Sequence, residues 1–226
     1  MKTLGTKPYA GLIILLLAIA ALPIGSRSAS AWNSTGIAGG LPTLQFTMTR
    51  ASDDKTVTAA DYRGKIVLLY FGYTFCPDVC PTTLVNLTQM LKALATHADD
   101  VRVLFVTVDP DRDTLSALAR YTESFAPQVV GLRGTPDQLA SLAKRYRVAY
   151  SVQPAGNGRD YEVTHGSAVY VFDRNGAATL LFTGLSTAGA GFTGMIEDLR
   201  QLIAATGTGN WWTRMLQFMD LGHSGA

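Results

Sequence analysis

The chain holds two cysteines, Cys76 and Cys80, within Phe75-Cys76-Pro77-Asp78-Val79-Cys80-Pro81. They follow an apolar run, Ile66 to Phe71, and open a stretch of helical periodicity. Thiols at a helix N-terminus meet exposed N–H groups and the positive end of the helix dipole, which favour thiolate over thiol. An i, i+4 spacing in a helical turn puts both sulfurs on one face, ~6 Å apart along the axis, within the range a disulfide tolerates. A soft metal ion and a disulfide therefore suit the pair equally well. A purely structural bridge is the weaker account, because closing so short a loop removes little entropy from the unfolded chain. The pair also sits where βα loops carry function.

Two thiolates select soft Cu(I), and a third ligand extends the site to Cu(II). Three histidines are available. His97 lies in a polar stretch, Thr96-His97-Ala98-Asp99, and reads as solvated; His223 lies close to the C-terminus. His165, in Thr164-His165-Gly166-Ser167, immediately precedes the apolar run Ala168 to Phe172. Should that run be a strand beside the one before the cysteines, the loop entering it lies next to the cysteine turn. Spacing alone leaves a ligand role for His165 level with a surface or satisfied core role.

Elements must hold these residues in place. Ile66 to Phe71 has the pattern of a strand covered on both faces, and Val101 to Val108 and Ala168 to Phe172 repeat it. Helical stretches lie between: Thr82 to Thr96, Thr114 to Tyr121, and Thr135 to Tyr146, where Thr135-Pro136 offers an N-cap and N1 pair. Leu44, Phe46 and Met48 alternate with polar neighbours and lead to a turn near Ser52-Asp53-Asp54, an N-terminal hairpin arm. Asp173-Arg174-Asn175-Gly176 predicts a turn into a strand over Thr179 to Phe182, and a last helix is predicted over Thr193 to Ala204. Strands alternating with helices, then a hairpin and a helix, predict an α/β chain. The expected architecture is a thioredoxin-like three-layer sandwich with a mixed sheet and an N-terminal β-hairpin extension.

Composition sets the compartment and excludes some partners. With 226 residues, 47% hydrophobic and 16% charged, the chain has material for one core and is no polyelectrolyte. Of its 19 Lys and Arg, three (Lys2, Lys7, Arg27) lie before residue 32, where no acidic residue occurs, which leaves 16 basic against 17 acidic residues. That balance argues against nucleic acid. Lys2 and Lys7 precede an uncharged run from Tyr9 to Gly25, and Ala29-Ser30-Ala31 follows. Residues 1–31 thus read as a signal peptide or an N-terminal membrane anchor, which places the rest outside the cytoplasm, in the periplasm or facing it. Residues 32–40 read as a linker, 41–206 as the globular domain and 207–226 as an amphipathic tail.

At this level the chain resembles the Sco/SenC family of copper proteins. The resemblance rests on Gly72 to Pro81, on Val106-Thr107-Val108-Asp109-Pro110-Asp111-Arg112-Asp113-Thr114, and on a later His before a strand. It implies a thioredoxin-like copper-binding domain that is a metallochaperone rather than an enzyme, with Cys76, Cys80 and His165 as ligands. The two cysteines would form a disulfide when oxidised. The cargo would be Cu(I) or Cu(II), and the partner a copper-accepting client, a cytochrome c oxidase subunit whose dinuclear centre is assembled. Asp109 and Asp113 are expected to serve as turn and N-cap residues. Many members carry an acidic residue before the ligand His, where this chain has Thr164; Glu162 reaches that place only if the loop curls back.

The rival class is an exported thiol-disulfide oxidoreductase or thiol peroxidase using the Cys76/Cys80 pair. Reductases of thioredoxin type space their cysteines C-x-x-C, whereas three residues separate these, and neither enzyme explains His165. Two surface features remain. Arg145 to Asp160, with Pro154, Gly156, Asn157 and Gly158, reads as a loop ahead of His165. Trp211, Trp212, Met215, Leu216, Phe218 and Met219 form an apolar stripe suited to packing on protein or to a membrane interface.

Overall fold

The computed structural model describes residues 32–154, 161–189 and 191–207. The expected leader or anchor and the Trp-rich stripe lie outside them. The chain divides after Ala31, and every described residue belongs to the unit that begins at Trp32. Its strands are β1 (Thr35–Gly36), β2 (Thr47–Arg50), β3 (Thr56–Thr58), β4 (Ile66–Gly72), β5 (Val101–Thr107), β6 (Val129–Arg133), β7 (Tyr150–Pro154), β8 (Tyr161–His165), β9 (Val169–Phe172) and β10 (Ala178–Phe182). Its helices are α1 (Val79–Leu94), α2 (Leu115–Glu123), α3 (Pro136–Arg145) and α4 (Thr193–Gly207).

Among the described residues, eight strands form one mixed sheet in the order β1-β10-β9-β4-β5-β6-β2-β3. β4, β5 and β6 run parallel, and β9, β10 and the β2–β3 hairpin pair antiparallel. This is the thioredoxin-like α/β arrangement with an added N-terminal hairpin. All seven residues of β4 are buried, as a strand covered on both faces requires. On one face Tyr70 of β4 meets Phe105 of β5 at 5.8 Å, and Phe105 meets Tyr121 of α2 at 5.5 Å. Right-handed crossovers put α1 on the same face. On the other face Tyr146, at the C-cap of α3, packs against Phe172 at 5.3 Å and Tyr170 at 6.2 Å.

Local signals explain the helix starts. Thr135 and Gln138 form a reciprocal capping box with Pro136 at the first turn of α3, and the Thr114 hydroxyl accepts from the Ala117 N–H at the start of α2. α1 begins three residues earlier than expected, at Val79, and buries Leu84, Leu87, Leu91 and Leu94 on one stripe. Three segments differ from the sequence reading. β6 was not anticipated. Residues 150–154, expected as loop, pair with 161–165 in a separate two-stranded sheet. Within the stretch read as linker, Thr35–Gly36 pairs with β10, and the N–H groups of Asn33 and Ser34 donate to Asp198.

Candidate metal centre

β4 ends at Gly72, and the chain turns through Tyr73 to Asp78 before α1 begins. Cys76 lies in this turn, ahead of the N-cap Asp78, and Cys80 lies in the first turn of the helix. Asp78 makes no capping hydrogen bond. The N–H of Cys80 donates instead to the Cys76 sulfur at 3.3 Å, so that sulfur fills the place of a capping oxygen.

Cys80 is fully buried, and its sulfur lies 3.1 Å from Nε2 of His165. His165 closes β8, opposite Tyr150 in the β7–β8 ladder. Its Nδ1 faces the Gly166 carbonyl oxygen at 2.9 Å. With Nδ1–H donating there, Nε2 keeps its lone pair turned toward the sulfurs. Tyr73 packs edge-on against the imidazole at 5.7 Å and Tyr70 at 6.1 Å, which holds the ring plane. The ligand atoms of Cys76, Cys80 and His165 all lie within 4.8 Å of one another, and among the described residues this is the one such His, Cys and acid cluster. Both cysteines are free thiols, Cys80 buried and Cys76 partly exposed. His97 is exposed and 3.5 Å from Asp100, and His223 lies outside the described residues.

Burial pushes the Cys80 thiol up to about 12 and holds the His165 imidazole below its ordinary value. For Cys80, loss of solvent outweighs the helix N-terminus, contrary to the expectation of two dipole-stabilised thiolates. In the metal-free protein at neutral pH, Cys80 is a thiol and His165 a neutral imidazole. A soft cation would take the sulfur as thiolate with release of its proton, and would find the nitrogen already free. Two sulfurs and one imidazole nitrogen, one sulfur reachable from solvent, are a donor set that fits copper.

The Val106 to Thr114 stretch does more than turn the chain. Asp113, fully buried, does not cap α2. It accepts from the Thr74 N–H at 3.0 Å, the Thr74 hydroxyl at 2.6 Å and the Thr107 hydroxyl at 2.6 Å, and so ties the end of β5 to the cysteine turn. Asp109 pairs with Arg112 at 2.5 Å and accepts from the Tyr161 hydroxyl. The Arg112 guanidinium stacks on Tyr161 at 3.9 Å and lies 5.2 Å from the exposed Phe75 ring. β8, which carries His165, is thereby clamped to the cysteine turn. Thr164 takes no part, since its hydroxyl bonds Ser151 at 2.8 Å, across the β7–β8 ladder.

Gly72 is the closest approach in the site. A Cβ there would stand 2.5 Å from Phe105 Cε2 and 2.9 Å from the Cys80 sulfur. Gly72→Ala is expected to lower stability by about 1–3 kcal/mol, as overpacking does, and to displace the sulfur. Chemical denaturation and copper titration of that variant check both effects; wild-type values in both would show that the contact gives way freely.

A thioredoxin-like domain that joins two thiols and an imidazole at a βα turn belongs among soft-metal and thiol-redox proteins. Residues 42–204 match the SCO1/SenC family model, and the chain belongs to that family. It is 40% identical over 148 residues to Protein SCO2 homolog, mitochondrial, of Bos taurus, covering 65% of this chain and 54% of that protein. The chain thus spans about half the length of the curated relatives it matches. The structure of Bradyrhizobium japonicum ScoI with copper bound aligns with TM-score 0.63 and 36% identity, over 71% of this chain and 98% of that one. Arabidopsis thaliana ScoI with copper bound aligns with TM-score 0.64 and 29% identity, over 72% and 98%.

Proposed function

We propose that this protein is a copper metallochaperone that carries its ion on Cys76, Cys80 and His165 and delivers it to a client. The client proposed is a cytochrome c oxidase subunit whose dinuclear copper centre is being assembled. The convergence of three soft and borderline donor atoms within 4.8 Å, at a turn open to solvent through Cys76, carries this reading. Family membership and relatives described with copper bound support it. Residues 1–31 would export or anchor the domain outside the cytoplasm. No helix among the described residues is long and apolar enough to cross a membrane.

The site suits cargo transfer better than turnover. A thiol used as nucleophile is exposed and of lowered pKa, whereas Cys80 is buried with its thiol held up to about 12 by that burial. Cys76, partly exposed, is the sulfur a client could reach first. Exchange of ligands one at a time, starting at Cys76, would pass the ion without releasing it to water.

The test is copper titration of the purified chain in two redox states. Reduced protein should bind one copper per chain, and protein oxidised to the Cys76–Cys80 disulfide should bind none tightly, because the ligand is thiolate and not bridged sulfur. Equal uptake by both forms would remove the sulfurs from the site.

A further inference from the structure

The turn that carries Cys76 has little packing of its own. Cys76 lies between the end of β4 and the start of α1, with Phe75, Pro77 and Asp78 exposed around it. One backbone bond closes the turn, from the Cys76 N–H to the Tyr73 carbonyl at 3.3 Å. A segment so exposed keeps its place only through bonds to something firmer. Cys80 needs no such help, being fully buried in the first turn of α1. β4 and β5 are parallel neighbours, so the loops leaving their C-terminal ends stand side by side. Asp113, fully buried in the loop after β5, reaches across to the cysteine turn. Two of its donors, an N–H and a hydroxyl, belong to Thr74, two residues before Cys76. The third is the Thr107 hydroxyl at the end of β5.

We infer that Asp113 is a positioning residue for Cys76, holding the turn through Thr74 so that this sulfur stays within reach of the ion. The inference rests on the copper reading above. A buried carboxylate is stable only where donors meet it, and here the donors include the backbone of the turn itself. Thr107, on a central strand, is the fixed end of the link, and Thr74 is the end that would otherwise move. α1 and β8, not this turn, carry Cys80 and His165. Loss of the Asp113 bonds therefore loosens one ligand of three, the one through which a client would take the ion.

Asp113→Ala removes all three bonds, and its Cu(I) affinity should fall by about 10–100-fold, as when a group that orients a metal ligand is lost. The thiolate-to-Cu(II) absorption should weaken, because one sulfur no longer has a fixed place. In the metal-free chain, iodoacetamide should alkylate Cys76 faster while Cys80 stays protected. Asp113→Asn should restore most of the affinity, because an amide can keep every bond. Its oxygen accepts from the Thr74 N–H and the Thr107 hydroxyl, and its nitrogen donates to the Thr74 hydroxyl. Asp198→Ala is the control for stability alone, since that carboxylate is equally buried and accepts three bonds from Asn33 and Ser34. Its Tm should fall by a similar amount with copper affinity unchanged. Thr74→Val removes one bond, should lower the affinity by less, and supplies the reading should Asp113→Ala fail to fold. Wild-type affinity or wild-type Cys76 alkylation in whichever of the two folds overturns the proposal. An equal loss of affinity in Asp198→Ala, or no recovery in Asp113→Asn, overturns it as well. A wild-type chain that takes up no copper defeats the copper reading itself, whereas uptake that these variants leave unchanged defeats this inference alone.

Discussion

Cys80→Ala is expected to abolish tight copper binding, and Cys76→Ala to do the same. With either sulfur gone, one thiolate and one imidazole remain of the three atoms that lie within 4.8 Å. Removing a group that merely orients a ligand lowers metal affinity by roughly 10–100-fold, so loss of a ligand should exceed about 100-fold. The two variants should differ in stability for separate reasons. At the buried Cys80 the change opens a small void, with an expected loss of about 1 kcal/mol. At Cys76 it removes the acceptor of the Cys80 N–H, with a loss of about 0.5–2 kcal/mol, as for a missing N-cap. Both chains should stay folded, and competition titration against a Cu(I) chelator would measure the affinities. Wild-type affinity in either variant would take that sulfur out of the site.

The central strands were legible because burial on both faces leaves unbroken apolar runs, and β4 and β5 are such runs. β6 was hidden by its shortness and by Gly131, which the packing of α2 demands: a Cβ there would stand 2.8 Å from Leu118 Cγ. β7 was hidden by the turn residues just after it, since a short two-stranded ladder carries only weak alternation of Tyr150 and Val152 with Ser151 and Gln153. Of the site, the cysteine pair was visible from spacing, whereas His165 stood level between ligand and surface residue until the family resemblance singled it out. The depth of Cys80 was not, because a helix N-terminus predicts thiolate while burial, a tertiary property, predicts thiol. Asp109, Arg112 and Asp113 stand out as a motif, but the sequence assigns Asp109 and Asp113 only turn and N-cap roles and Arg112 none. Their partners Thr74 and Tyr161 lie 39 and 52 positions away from Asp113 and Asp109, and no local pattern records such pairings.

His165→Ala is expected to split the two oxidation states of copper. Cu(I) accepts low coordination and keeps its two thiolates, so its affinity should fall by no more than about tenfold. Cu(II) prefers a tetragonal set that includes nitrogen, and its affinity should fall by more than about 100-fold, with loss of the thiolate absorption. The structure gives a reason for His165 to matter most for the oxidised ion. Nδ1 is occupied by the Gly166 carbonyl and Nε2 lies 3.1 Å from the Cys80 sulfur. Burial holds the imidazole below its ordinary pKa, so at neutral pH the nitrogen would be open to a metal ion without first losing a proton. The Cys80 sulfur must lose one, which makes uptake on the sulfurs pH-dependent in a way that uptake on the nitrogen is not. His97→Ala is the control, since His97 is exposed and paired with Asp100, and it should change neither affinity nor spectrum. Absorption and competition titrations of both variants, each in Cu(I) and Cu(II), make the comparison. A His165→Ala chain with the wild-type Cu(II) spectrum would leave the imidazole as a neighbour of the sulfurs rather than a ligand, and the thiol-disulfide reading of the pair would then gain ground.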